Sequence, residues 1–280
     1  MNPALEIIIP IVVFLGGGVV FFFGFNKMRR VKLIHDTPRS KVRSIAMGLV
    51  EVHGFAEPQQ ILITPFSKNE CVYYKYVIKE YQRRTSTDSK GRTHTSYSWN
   101  TVGGGEKRIP FFASDDTGRV LVNPEGATCY VNCKKAFYQK AGFLGSFSGI
   151  LSILKSWVNN DITEMDTTEW NLEPIEAKDG IEFSWGSSVG DRKYYEYYIA
   201  PKEVLFVLGT AVNDDNAPGN ILIREGSNEN TFIISDRSEK EVVKKIRNTM
   251  IFLFVFGILL IVGSILLFMK LNNYLLMERL

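Results

Sequence analysis

Cysteine and histidine are scarce: Cys71, Cys129 and Cys133, with His35, His53 and His94, are all that 280 residues contain. A cross-braced pair of zinc sites takes about eight thiolate or imidazole ligands in short paired spacings, so counting alone excludes one within this stretch. The only close pair is Cys129-x3-Cys133, inside a strand-like segment. An odd, sparse set of cysteines also argues against a disulfide framework and suits a reducing compartment. Signatures of catalysis are missing as well. "FSWGSSVGD" offers serines but no G-x-S-x-G elbow, and the three histidines fall in segments that read as linker, strand and loop. No phosphate-binding or dinucleotide glycine pattern follows a strand; the glycine runs at Gly16 and Gly103 read as part of an apolar run and a loop. Asp115, Asp116 and Gly118 lack the later ligands of a calcium loop and read as a turn feeding a strand. The sequence therefore points to no catalytic residue, no metal and no cofactor.

Charge is missing over two long runs. Met250 to Met269 has none, and "ALEIIIPIVVFLGGGVVFFFGF" has only Glu6. At about 1.5 Å per residue, each run covers a hydrocarbon core of about 30 Å as a helix. The first lacks the basic start and small-residue cleavage site of a secretory signal, and reads as a retained anchor. Pro10 and Gly16 to Gly18 are compatible with a helix packed in a membrane. The expected division is an anchor over 1–26, a β-rich domain over 27–249, a second span over 250–270 and a tail over 271–280.

Cations gather beside these runs. Lys27, Arg29, Arg30 and Lys32 follow the first, whereas Lys240, Lys244, Lys245 and Arg247 precede the second. The positive-inside rule puts the middle domain in the cytoplasm and both termini outside. Lys27, Arg29, Arg30, Lys244 and Lys245 are thus candidate contacts with anionic headgroups, which accounts for the basic clusters without nucleic acid.

Between the runs, "RSIAMGLVEVHG", "NECVYYKYVIKEYQ", "GRVLVNP", "ATCYVNC", "RKYYEYYIAPKEVLFVLG", "NILIRE" and "NTFIIS" are rich in β-branched and aromatic residues and punctuated by Gly, Pro, Asn and Asp. They predict antiparallel strands in a barrel or sandwich. Polar residues around Asp88 to Gly91 predict the tip of a long hairpin running out from Val72 and back to Trp99. Arg83, Arg84, Arg92, Tyr97 and Trp99 are its candidate partner-binding residues, since Arg, Tyr and Trp are the common anchors of interfaces. A second hairpin turn is predicted at Asp179-Gly180. Helical spacing of apolar residues predicts an amphipathic helix over about 141–158, with Phe143, Phe147 and Trp157 as candidate membrane-interface residues. Ser238 and Glu241 form a capping-box pattern, predicting a helix from near Ser238 that runs on into the second span and couples the domain to the membrane. "VEVHGFAEP" and "LFVLGTAVND" echo one another, too briefly to indicate a duplication.

The order "SKVRSIAMGLVEVHGFAEP", "CVYYKYVIKE", "PFFASDDTGRVLVNPEGA", "YYEYYIAPKEVLFVLGTA", "ISDRSEKEVVKKIRNTMIFLFVFGILLIVG" resembles the GIDE family, whose middle domain is also called the beside-a-membrane (BAM) domain. The most specific part is Pro110-Phe111, then Asp116-x-Gly118, then Pro124-x-Gly126-Ala127, because such punctuation fixes turns. The resemblance implies a membrane protein with two transmembrane helices flanking a mainly β domain of the BAM/GIDE type. It also implies E3 ubiquitin ligase relatives, in which a RING finger follows the second span and recruits the conjugating enzyme. Here "KLNNYLLMERL" follows Met269 with neither Cys nor His, so no ligase residue carries over. In mitochondrial relatives the domain faces the space between membranes; the opposite charge bias here fits a prokaryotic plasma membrane. The expectation is a non-catalytic binding, scaffold or sensor protein. Its partners are the lipid bilayer and another membrane protein, or further copies of itself as an oligomeric assembly or pore. A ubiquitin transferase is the rival reading.

Overall fold

An apolar segment in a bilayer has to satisfy its own backbone groups, and both runs do so as helices: α1 (Pro3–Asp36) and α2 (Glu239–Met277). The computed structural model of the protein describes residues 3–141, 170, 172–177, 186–215, 217–227 and 231–277. It forms two units, one of Met1–Pro38 with Ser238–Leu280 and the other of Arg39–Arg237. Ser238 precedes α2 and its carbonyl accepts from the N–H of Glu241 and Val242, while its hydroxyl accepts from Glu241 N at 3.4 Å. The helix then runs without a break through the apolar block.

Within the helical unit the two helices pack antiparallel. Gly17 lies against Leu260 and Ile261, Gly24 against Phe254, and Gly257 against Phe21. Phe21, Phe25 and Phe254 meet edge to face at 5.1 to 5.5 Å between centroids. Small residues let the backbones approach where no hydrophobic force acts between helices in lipid. The outward surface is apolar: Phe22, Phe252 and Leu259 are each 64% exposed. Bare apolar surface of this extent is what a lipid-facing helix pair presents. A Cβ at Gly257 would stand 3.0 Å from the backbone of Phe21, whereas one at Gly16 or Gly263 would meet nothing within 4 Å. Gly257→Leu should therefore weaken the pairing by about 1–3 kcal/mol in detergent unfolding, with Gly16→Leu and Gly263→Leu near neutral.

The second unit is built from β1 (Arg39–Ser40), β2 (Gly48–Pro58), β3 (Leu62–Ile63), β4 (Glu70–Cys71), β5 (Tyr73–Thr87), β6 (Thr93–Arg108), β7 (Phe111–Asp115) and β8 (Gly118–Val122). It continues with β9 (Thr128–Tyr130), β10 (Cys133–Gln139), β11 (Glu173–Ile175), β12 (Arg192–Ile199), β13 (Val204–Asn213), β14 (Ile221–Arg224) and β15 (Ile233–Ser235). Strands β2, β7, β8, β14 and β13 close a five-stranded barrel, because β13 pairs back onto β2 and β8 pairs in parallel with β14. Its interior is the main core, including Val52, Phe111, Val122, Val207 and Ile223. A barrel of five strands is narrow, which explains the small residues Gly54, Ala56, Gly209 and Ala211 on the two long strands.

The echo between "VEVHGFAEP" and "LFVLGTAVND" has a structural counterpart. Val52 pairs with Val207, Gly54 with Leu205 and Val50 with Gly209, so the two segments are related by a local two-fold. At each glycine the strand's other edge changes partner: β2 passes from β1 to β7, and β13 from β15 to β14.

The other sheet has the order β11-β10-β12-β5-β6 and is antiparallel throughout. Leu62, Phe66, Tyr74, Tyr76, Trp170 and Tyr194 form its core. The glycine run at Gly103 is strand and not loop, since Gly103, Gly104 and Gly105 pair with Ile78, Val77 and Tyr76. The reason is contact: a Cβ on Gly105 would strike the Tyr76 ring at 2.6 Å. His35 likewise lies in α1 and not in a linker. Asp115 to Gly118 is the predicted turn, with Asp115 accepting from the N–H of Val42, Thr117 and Gly118.

Candidate functional site

The hairpin runs farther than its sequence suggests, from Tyr73 to Arg108, with β5 and β6 paired up to Thr87 and Thr93. Asp88 closes the tip: its Oδ1 accepts from the backbone N–H of Lys90 at 2.9 Å and Arg92 at 2.8 Å, and Gly91 takes the left-handed φ of 78°. Of the predicted residues, Arg83, Arg84, Arg92 and Tyr97 are exposed and Trp99 is half-buried. Alternation separates them. Arg83 stands opposite Tyr97 on the face that holds the Tyr81–Trp99 pair, whereas Arg84 stands opposite Ser96 on the other face. Arg92 is at the tip, so the five do not form one cluster.

One face of the arm's base is aromatic. Tyr81 stacks on Tyr97 at 6.1 Å and lies 5.3 Å from Trp99, which meets Tyr138 at 6.4 Å. Lys193 Nζ sits 4.2 Å from the Trp99 ring centre, a cation–π contact. The opposite face is a polar ladder: Arg192 donates to Glu80 at 2.9 Å, Gln82 to Glu80 at 3.2 Å, and Asn100 to Gln82 at 3.3 Å. The arm is thus braced on both faces at its root.

Asp191 anchors this root. Its carboxylate accepts from the Tyr138 hydroxyl and, at 2.6 Å each, from the N–H of Ala141 and Ser188, while its carbonyl accepts from Tyr81 N. Burial pushes the Asp191 carboxyl up, but these donors outweigh it and hold it below the ordinary 3.8. A depressed carboxyl stabilises the fold above the unfolded pKa, and that contribution is lost as pH falls through the folded value. Asp191→Asn should therefore be less stable than wild type at neutral pH, and urea titrations should show the gap narrowing as pH falls below the ordinary carboxyl value.

Tyr81, Tyr138, Lys193 and Asp191 were not singled out by sequence. The signal for Tyr81 and Lys193 was the alternation of Tyr and Lys in "VYYKYVIKEYQ" and "RKYYEYYI", which puts every second side chain on one face, whereas Tyr138 lies in "CKKAFYQ", which shows no such alternation.

The predicted membrane-interface cations fall together. Lys27, Arg29 and Arg30 lie near the end of α1 and Lys244 and Lys245 near the start of α2, the same end of the antiparallel pair. Phe143, Phe147 and Trp157, with all but Ala141 of the helix predicted over 141–158, lie outside the described residues, as does the turn at Asp179-Gly180.

Two thiols among the described residues, Cys71 and Cys129, are poorly set up for nucleophilic chemistry. Burial, then Glu196, pushes the Cys71 thiol up to about 12, and burial also raises Cys129. His53 Nε2 is 2.7 Å from Glu51 Oε1 and its ring lies edge-on to Phe206.

A family model described as "GIDE: E3 Ubiquitin ligase" matches residues 80–174 and 157–268. These stretches together run from within β5 into α2 and take in more than half of the chain. No curated protein matches the chain and no solved structure does.

Proposed function

The chain belongs to the GIDE family, a family related to E3 ubiquitin ligases, and from that premise we propose that it is a membrane-anchored, non-catalytic binding module. The observation that carries this reading is the hairpin arm, which is braced at its root and holds Arg83, Arg84, Arg92 and Tyr97 in solvent. A rigid scaffold that presents Arg and Tyr on a projecting element is the usual form of a recognition site.

The anchor is the helix pair, and its basic end faces the cytoplasmic leaflet of a prokaryotic plasma membrane. Residues 39–237 leave α1 and return to α2 at that basic end, so the charge rule puts them on the cytoplasmic side. The cations add attraction to anionic lipid of about 1 kcal/mol each. The partner is a protein or peptide at that surface.

Ubiquitin transfer is the second reading, favoured by the description of the family model. Three Cys and three His fall short of the about eight ligands of a RING, so these 280 residues do not hold one by themselves. With activating and conjugating enzymes alone it should form no ubiquitin chains; reproducible chain formation would refute the non-catalytic reading.

The main test is enrichment from detergent extract with the full chain as bait, beside a variant carrying Arg83→Glu, Arg84→Glu and Arg92→Glu. A partner retained by the native chain and lost with the variant supports the proposal. Identical recovery with both, or none with either, contradicts it.

A further inference from the structure

The long strand β6 ends the five-stranded sheet, and its outer edge has no strand partner among the described residues. The sheet ends at β1, β9 and β11 are guarded by brevity, with 2, 3 and 3 residues and Pro174 in β11, and the edge of β5 beyond its pairing with β12 at Glu80 is guarded by the charges of Arg83 and Arg84. Strand β6 has 16 residues, and Thr93 to Thr101 includes no Pro, Lys, Arg, Asp or Glu. Short length, proline and charge are the means by which proteins block unwanted strand addition. Their absence leaves a row of backbone donors and acceptors available to another extended chain.

We propose that the β6 edge over Thr93–Thr101 is a docking site for an extended acidic peptide segment, which adds to the sheet as a further strand. This rests on the reading of the domain as a binding module and names the site and the chemistry of its partner.

Charge selects the occupant. From Tyr81 to Thr101 the arm carries Arg83, Arg84, Lys90 and Arg92 against one acid, Asp88, whose carboxylate already accepts two backbone N–H groups. Arg84 lies opposite the small Ser96, which leaves its side chain room to pass over β6 toward an added strand. A carboxylate there gains a charge-assisted hydrogen bond on top of the backbone ladder. A second copy of the arm would bring cation against cation, which disfavours self-pairing. A nucleic-acid strand has no backbone to match a sheet edge. The ring nearest the sheet centre, Tyr81, is also already stacked on Tyr97, and Trp99 is covered by Lys193.

The test uses the full chain in phosphatidylcholine nanodiscs and a fluorescein-labelled peptide of alternating threonine and glutamate, long enough to pair with Thr93–Thr101. Saturable anisotropy is expected, weakened about tenfold or more by N-methylation of alternate peptide residues and by R84E with R92E. A peptide with lysine in place of glutamate should not bind. Equal binding of the N-methylated peptide, or no binding of the acidic one, overturns the proposal. So does tighter binding of labelled oligothymidylate, or a chain dimer that excludes the peptide. If extract enrichment depends on the arm while the peptide fails to bind, the edge is refuted and the binding module stands. If both fail, the module itself is refuted.

Discussion

Gly54→Ala is expected to unfold the β-domain or cost it about 3 kcal/mol or more. A Cβ at this position would stand 2.6 Å from the carbonyl oxygen of Ser114 and 3.0 Å from its carbonyl carbon. Those are backbone atoms of β7, held in register by Phe55↔Ser114 and Ala56↔Ala113, so no side chain can swing away to relieve the clash. Relief would require β7 to leave β2, which opens the barrel. Gly209→Ala is the calibrating variant. Its Cβ would meet Ile223 Cγ2 and the Phe232 ring at 2.8 Å, side chains that have some room to rotate, and the loss should be smaller. Urea unfolding of the two variants gives the order; Gly54→Ala equal to or milder than Gly209→Ala would count against the barrel closure described here.

Glu196→Ala is expected to cost about 2–4 kcal/mol, while Glu196→Gln keeps most of the stability. Glu196 is fully buried in β12. Its Oε1 accepts from Phe66 N at 2.6 Å, and its Oε2 accepts from Ser67 N at 3.1 Å. Removing the carboxyl strands these two N–H groups beneath Phe66, a member of the second core. An amide oxygen still serves them. The pH dependence separates the two substitutions further. Burial raises the Glu196 carboxyl above its ordinary 4.5, although Ser67, the N–H of Phe66 and nearby Lys68 pull the other way. The unfolded chain then releases its proton at lower pH than the folded chain does, so ionisation lowers stability as pH climbs from the ordinary value to the folded one. Glu196→Gln has no such group. Its melting temperature relative to wild type should rise as pH climbs above the ordinary carboxyl value, and a flat difference would mean that Glu196 is not raised.

These positions also mark where sequence reading works and where it stops. The two spans were legible because a bilayer imposes a requirement that only an uninterrupted apolar run satisfies. Most strands were legible from β-branched and aromatic residues between turn signals, and Asp88 and Asp115 were legible as turns because their carboxylates serve local N–H groups. Strand β6 was read only as far as Trp99, since Gly103 to Gly105 lower strand propensity and their reason for being glycine, Tyr76, lies across the sheet. The parallel pairing of Leu121 with Leu222 that helps close the barrel depends on residues far apart in the chain, and no local pattern announces it.

For the candidate site, the arm and its exposed Arg residues were foreseen. Its aromatic root was not, because Tyr138, Lys193 and Trp99 come from three separate strands. The echo around Gly54 and Gly209 was visible but had no weight until the register Val52↔Val207 gave it a geometric meaning.

The most direct measurement is protease accessibility of the arm in sealed right-side-out vesicles, with a tag on each terminus. The charge rule predicts that the tags are digested while Arg83, Arg84 and Arg92 stay protected until the vesicles are opened. Cleavage at those arginines in intact vesicles would contradict this. It would place the arm outside and make the basic residues near Arg30 and Lys244 exceptions to the charge rule.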